Sequence, residues 1–178
     1  LLFENGYHEI GMDHFALKTD TLYDAFENGT LHRNFMGYSS SKTKLMIGLG
    51  VSSISDSWYS FAQNVKSLEE YYQLLEQNKL PVYRGHLLTD EDLIIRKHIL
   101  NLMCQFETSW KNQEAYFEEI PEVLNQLKEM ENDGLLIIKE NSIAVTEKGK
   151  PYVRNICMAF DLRLKRKAPE TELFSMTI

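Results

Sequence analysis

Residues 89–106 read TDEDLIIRKHILNLMCQF. Thr89 can accept a hydrogen bond from a backbone N–H while Asp92 reaches back, a capping-box start, and the acids suit the positive pole of a helix N-terminus. Ile95, Ile99, Leu102, Met103 and Phe106 then recur at helical spacing, which predicts a long helix with one core-facing stripe. Such a stripe must be buried against neighbouring elements, and the sequence on both sides supplies candidates.

Downstream, Trp110 to Phe117 predicts a shorter second helix. Pro121 fits the first turn of a third, with Val123, Leu124, Leu127 and Met130 inward and Gly134 as its stop. Leu135 to Ile138 and Ser142 to Val145 flank Lys139-Glu140-Asn141, a β-hairpin signal. Thr146 predicts the cap of a closing helix reaching about Arg166, with Val153, Ile156, Cys157, Phe160 and Leu164 in register. Helices, hairpin and closing helix in this order predict a mostly helical, winged-helix-like domain over 81–178, entered through a joint at Pro81 to Gly85.

Upstream, Leu1 to Gly6 reads as the last turn of a helix, with Gly6 as its left-handed terminus. Tyr7 to Met12 predicts a short buried strand. Thr19 or Asp20 can cap a helix reaching Asn28, with Leu22, Tyr23 and Phe26 on one face. Thr30 to Thr43 has no clear period and reads as a long loop, which compact domains rarely keep without a function. Leu45 to Val51 predicts a second apolar strand, Ser52 to Asn64 a polar stretch, and Leu68 to Gln77 a helix with a Leu68, Tyr71, Tyr72, Leu75 stripe. Two apolar strands cannot build a sheet covered on both faces. The expected fold class is therefore α+β: over 1–80 the tail of a larger α/β domain, which the resemblance given below implies is the C-terminal remnant of an incomplete α/β, TIM-like barrel, then the helical domain. Its apolar strands are expected to seek an edge partner, either the missing N-terminal part or a second copy.

The 178 residues carry 19 Lys+Arg against 26 Asp+Glu, a net charge of −7. That balance argues against nucleic acid as a partner, since phosphate would meet Glu122, Glu129 and Glu131 on the third helix. No apolar run approaches the ~20 residues of a membrane span. No signal-peptide pattern is present, and Cys104 and Cys157 form no CxxC, so a cytoplasmic protein without a disulfide framework is expected. The first residue is Leu1, which reads as a fragment.

His8, His14 and His32, with Glu9 and Asp13 nearby, show no ligand spacing that would force a metal site. Asp13-His14 directly after a strand is the placement that lines active sites in α/β barrels. Its bland counterpart is a His14 that ties the next loop to the strand. Gly48-Leu49-Gly50 reads either as a ligand-approach loop or as close backbone packing. Arg163, Lys165, Arg166 and Lys167 read as cations at a helix end, or as an anion or domain contact.

Three blocks then carry a resemblance: Gly11-Met12-Asp13-His14-Phe15-Ala16, Leu31-His32-Arg33-Asn34-Phe35-Met36-Gly37-Tyr38, and Gly48-Leu49-Gly50-Val51-Ser52-Ser53-Ile54-Ser55. With Tyr59, Ala62-Gln63-Asn64 and Val153-Arg154-Asn155-Ile156-Cys157-Met158-Ala159-Phe160-Asp161, they resemble the bacterial oxygen-independent coproporphyrinogen III oxidases, a radical S-adenosylmethionine family, from about Gly6 to about Leu164. The resemblance implies a haem-biosynthesis oxidoreductase that turns two propionates of coproporphyrinogen III into vinyls, giving protoporphyrinogen IX. It implies S-adenosylmethionine and a [4Fe–4S] cluster on a CxxxCxxC motif that this chain lacks, so the chain is expected to be an inactive C-terminal part with no catalytic or metal residue of its own. The family's additional S-adenosylmethionine pocket maps onto Phe35, Met36 and Ile54. Met36 stands where a member of the family has a glutamine, and its sulfur is only a weak acceptor. From residue chemistry, His14, His32 and Arg33 are candidates to meet substrate carboxylates. The alternatives are a non-catalytic winged-helix interaction module and a haem chaperone of the same superfamily.

Overall fold

The computed structural model describes residues 1–166; Lys167 and the side chain of Leu164 lie outside the described part. Helix and strand are mixed along the chain, an α+β arrangement. A 3-10 turn (Phe3–Asn5) closes on Gly6 at φ 81° and leads into β1 (Tyr7–Gly11) and β2 (His14–Leu17). Then follow α1 (Thr21–Glu27), β3 (His32–Asn34), β4 (Gly37–Ser39), β5 (Ile54–Asp56), β6 (Ser60–Asn64), α2 (Leu68–Glu76) and β7 (Val82–Leu87). The second half holds α3 (Asp90–Gln105), β8 (Glu107–Ser109), α4 (Ile120–Asn132), β9 (Leu136–Lys139), β10 (Ser142–Val145), α5 (Val153–Met158) and α6 (Leu162–Arg166). The described ladders, β1–β2, β3–β4, β5–β6–β7 and β8–β10–β9, are all antiparallel.

Helix α3 organises the molecule. The capping box forms as the residues require: the Thr89 hydroxyl accepts from the Asp92 N–H, and Asp92 accepts from the Thr89 N–H. Ile95, Leu102 and Met103 are buried, and the helix packs against β3, β8 and α5. Phe106 ends it in a left-handed conformation instead of prolonging the helix. Pro121 starts α4 as expected, and Val123 and Leu127 are buried beneath it. The expected hairpin forms as β9–β10 and gains β8 as a third strand. Gly149 sits under it so closely that a Cβ would lie 1.7 Å from the Leu135 carbonyl oxygen, so only glycine fits.

Several expectations are corrected. Residues 30–43 are not a structureless loop but hold the β3–β4 hairpin, whose Gly37 at φ 127° supplies backbone freedom that no periodicity reveals. Leu45 to Val51 is not a strand: only Met46 bridges to Asp56. Side chains take its remaining polar groups. Ser55 Oγ and Tyr71 Oη accept from the Gly48 and Gly50 N–H groups, and Asn64 Nδ2 donates to both glycine carbonyls. A Cβ on Gly48 would lie 2.7 Å from the Ile54 oxygen, so close backbone packing explains that glycine. The polar stretch 52–64 supplies β5 and β6, and Pro81 to Gly85 is not a bare joint, because β7 begins at Val82 and pairs with β6. Between Trp110 and Phe117 only a 3-10 turn forms (Gln113–Ala115), with Trp110 and Phe117 themselves buried in the core. The closing helix is broken into a 3-10 segment (Glu147–Tyr152), α5 and α6; Pro151 has no N–H to donate within the first of these.

His98 shows how tightly the core is specified. Its Nε2 lies 2.7 Å from the Ala115 carbonyl, which can only accept, so Nε2 carries the proton and Nδ1 accepts from Thr108 Oγ1, also at 2.7 Å. The ring stacks on Phe160 at 5.5 Å. Burial lowers its pKa, and burial also lowers that of His32, aided by the charges of Lys42 and Arg96. The unfolded chain therefore takes up these protons first as pH falls. Stability is expected to decline below the unfolded value, about pH 6.5. Melting temperatures across that window check this: the slope flattens in His98→Gln, and an unchanged slope contradicts the assignment.

Candidate functional site

Beside α3 lies a cleft of about 630 Å³. The face of α3 carrying Ile95, Ile99 and Met103 forms its apolar floor. One wall is β3 with Arg33 and the neighbouring Phe35, joined by Asp56 of β5 and Phe61 of β6; the other is α5 and α6, with Arg154, Met158 and Arg163. Phe35 meets Phe61 edge-on at 5.3 Å, leaving its ring about half exposed.

Charge pairing sorts the four arginines of the cleft. Arg96 donates to Asp56 at 2.6 Å and to the Trp58 carbonyl at 3.0 Å, and its guanidinium covers the rings of Trp58 and Phe61. Arg163 grips Asp92 with two bonds of 2.6 and 2.7 Å. That fork, with the two Thr89 groups, holds the Asp92 carboxyl well below the usual carboxylate range. Arg166 binds Glu91 and Glu119. Within the basic run, Arg163 and Arg166 are therefore not free cations: they fasten α6 to the acidic start of α3.

Arg33 and Arg154 are different. Arg33 lies over the Tyr38 ring at 4.6 Å, and its buried Nη1 has no hydrogen-bond partner. Arg154, on the exposed side of α5, makes no ion pair among the described residues. Tyr38 donates to the Met103 carbonyl at 2.7 Å, and burial pushes its hydroxyl up to about 12, so it remains a donor. It thereby pins the β3–β4 hairpin to α3 and fixes the height of Arg33 above the floor.

Of the expected site residues, Arg33 and Phe35 line the cleft together. Met36, at the hairpin turn, is 85 % exposed, while its backbone N–H is held by Asn34 Oδ1. Ile54 opens β5, paired with Gln63 two positions from the cleft-lining Asp56. His14 and His32 are not among the cleft-lining residues. His14 follows a two-residue turn in which Met12 and Asp13 both have positive φ, and its Nδ1 contacts the Met12 oxygen. Its ring packs so closely on Gly37 that a Cβ there would lie 2.9 Å from Nε2; this joins the first hairpin to the second. His32 is buried. Arg96 and Asp56 are not singled out by the sequence reading, Asp92 only as a helix cap, and Arg154 only as part of a resemblance block. The available signal was polar residues at 92 and 96 alternating with the apolar stripe of α3, which a solvent-facing side would not need.

No group of three or more His, Cys, Asp or Glu able to hold a metal occurs among the described residues. Cys104 and Cys157 are buried, and burial pushes their thiols up to about 11 and about 12. Iron–sulfur ligation needs thiolates, and three of them for the family's cluster. The residues present do not fit a [4Fe–4S] cluster. No described helix is long and apolar enough to cross a membrane.

No family model matches the chain. Curated proteins do: the oxygen-independent coproporphyrinogen III oxidase of Escherichia coli (strain K12) is 41 % identical over 94 % of this chain. The proteins of the same name from Synechocystis sp. and Thermostichus vulcanus are 37 % identical over 99 % and 38 % identical over 96 %. This chain spans 38 %, 40 % and 54 % of those three relatives. Among solved structures, the coproporphyrinogen III oxidase of Escherichia coli, described as a radical SAM enzyme, matches with a TM-score of 0.84 and 40 % identity, over 92 % of this chain and 39 % of that one. Over nearly its whole length this chain is therefore similar to the oxygen-independent coproporphyrinogen III oxidases, and it spans about two fifths to one half of each of these relatives.

Proposed function

We propose that this chain is the C-terminal part of a cytoplasmic oxygen-independent coproporphyrinogen III oxidase, supplying one side of the substrate cleft. The complete protein would oxidatively decarboxylate two propionates of coproporphyrinogen III to vinyls. Supporting this reading is a cleft with an apolar floor and a half-exposed aromatic, carrying a buried guanidinium N–H that no group among the described residues satisfies. A porphyrinogen is an apolar body with carboxylates at its rim, and guanidinium binds carboxylate in bidentate fashion. Arg33 would take a propionate, with His14 and His32 backing the hairpin that carries it. Phe35, Met36 and Ile54 would hold S-adenosylmethionine, which supplies hydrogen-abstracting chemistry when bound. Phe35 would pack on it, and the apolar side chains of Met36 and Ile54 would exclude water around it.

In this reading residues 1–80 are the end of the barrel and 81–178 the winged-helix-like cap. The remainder of the protein, contributing the cluster cysteines, would cover the apolar side chains of Leu45, Ile47, Leu49, Leu80 and Leu87, all exposed here. In the isolated chain the unpaired edge of β7 would invite pairing between copies. The test is anaerobic turnover by the full-length protein with S-adenosylmethionine and a reductant. Conversion of coproporphyrinogen III to protoporphyrinogen IX is expected, and its absence in cluster-loaded protein overturns the reading.

A further inference from the structure

We propose that Arg154 is a second carboxylate anchor, facing Arg33 from the opposite wall of the cleft, so that the two guanidiniums grip two acid groups of one ligand. This rests on the cleft being the substrate site. Four arginines line it, and two are consumed internally: Arg96 by Asp56 and Arg163 by Asp92. The third lining carboxylate, Asp161, has interactions of its own. Arg33 and Arg154 are left as the guanidiniums without a carboxylate partner among the described residues.

Placement makes them complementary. Helix α3 packs against both β3 and α5. Arg33 stands on the first and Arg154 on the second, and both line the cleft together with Ile95, Ile99 and Met103. On α5, Arg154, Cys157 and Met158 fall at i, i+3 and i+4, one helical face, and all three line the cleft, as does Asp161 beyond the end of the helix. A rigid apolar ligand resting on this floor with one carboxylate on Arg33 brings another edge to the α5 wall. A ligand with a single carboxylate can satisfy only one arm. The arrangement therefore selects polycarboxylates, and Arg154 acts as a specificity-determining residue that touches substrate.

The test uses the full-length protein and a redox-stable probe, coproporphyrin III, with its uncharged tetramethyl ester as the control. In Arg154→Gln the Kd for coproporphyrin III is expected to rise about 10-fold or more, the loss of a charge-assisted hydrogen bond. The Kd for the ester should be unchanged, and Arg154→Lys should restore part of the affinity. KM for coproporphyrinogen III should rise with kcat nearly unchanged. A wild-type Kd for coproporphyrin III in Arg154→Gln, or equal weakening for acid and ester, overturns the proposal. Both results are distinct from failure of the parent reading, in which the wild-type protein itself does not decarboxylate coproporphyrinogen III.

Discussion

Arg33→Ala in the full-length protein is expected to lower kcat/KM for coproporphyrinogen III by about 10- to 100-fold, while the melting temperature moves by no more than a few degrees. The two outcomes come from one observation. Nη1 of Arg33 is buried without a hydrogen-bond partner, so in the free chain the guanidinium carries a desolvation cost that nothing offsets except its contact with Tyr38. Removing it deletes that cation–π contact, which contributes about 1 kcal/mol, and at the same time removes the unsatisfied donor. The free protein hardly notices. A bound carboxylate loses a charge-assisted pair of about 1.5–3 kcal/mol, which converts to the expected fall in kcat/KM. Arg33→Lys should recover only part of it, because an ammonium cannot present the planar fork. Steady-state kinetics beside thermal melts decide the matter: full activity in Arg33→Ala would remove the residue from the site, and a collapse in melting temperature would assign it a structural role instead.

Asp92→Asn is expected to show the reverse profile, a loss of stability of about 2–3 kcal/mol. The carboxylate has four clients: the Thr89 N–H and hydroxyl, and two nitrogens of Arg163. An amide can serve some of them but brings no charge, and its own N–H groups face donors. Helix α3 loses half of its capping box, and α6 loses its tie to the helix start. The pH dependence has a definite sign. Because the folded carboxyl is held well below the ordinary value of about 3.9, its contribution is fully present above that value. It is lost as pH falls from there towards the folded value, since the unfolded chain binds the proton first. Glu91, lowered by Arg166, adds a contribution of the same sign. Acid titration of the melting temperature should therefore be shallower in Asp92→Asn than in the parent, and parallel curves would refute the assignment.

Much of the local structure was legible because neighbours in sequence control it. The Thr89–Asp92 box, Asp20 before α1, Pro121 at the start of α4, Gly6 after the first turn and the β9–β10 hairpin all involve residues a few positions apart, and each forms as the sequence implies. The errors share a cause. Leu45 to Val51 has a strand's composition, but Asn64, Ser55 and Tyr71 capture its backbone groups from outside. Residues 52–64 and 82–87 look polar or broken, yet β5, β6 and β7 find one another. Trp110 and Phe117 suggested a helix because both are apolar; they are buried around His98 from an irregular segment.

The sequence by itself determined the starts and caps of α1, α3 and α4, the blocks by which this chain resembles one enzyme family, and the absence of a cysteine triplet from its 178 residues. Only the tertiary structure decided which cations are available. Asp92 and Arg163 are 71 positions apart and Asp56 and Arg96 are 40 apart, and no local pattern announces either pair. Coulomb attraction and desolvation act through space, so a guanidinium's freedom to bind a ligand depends on which carboxylates the fold has placed beside it.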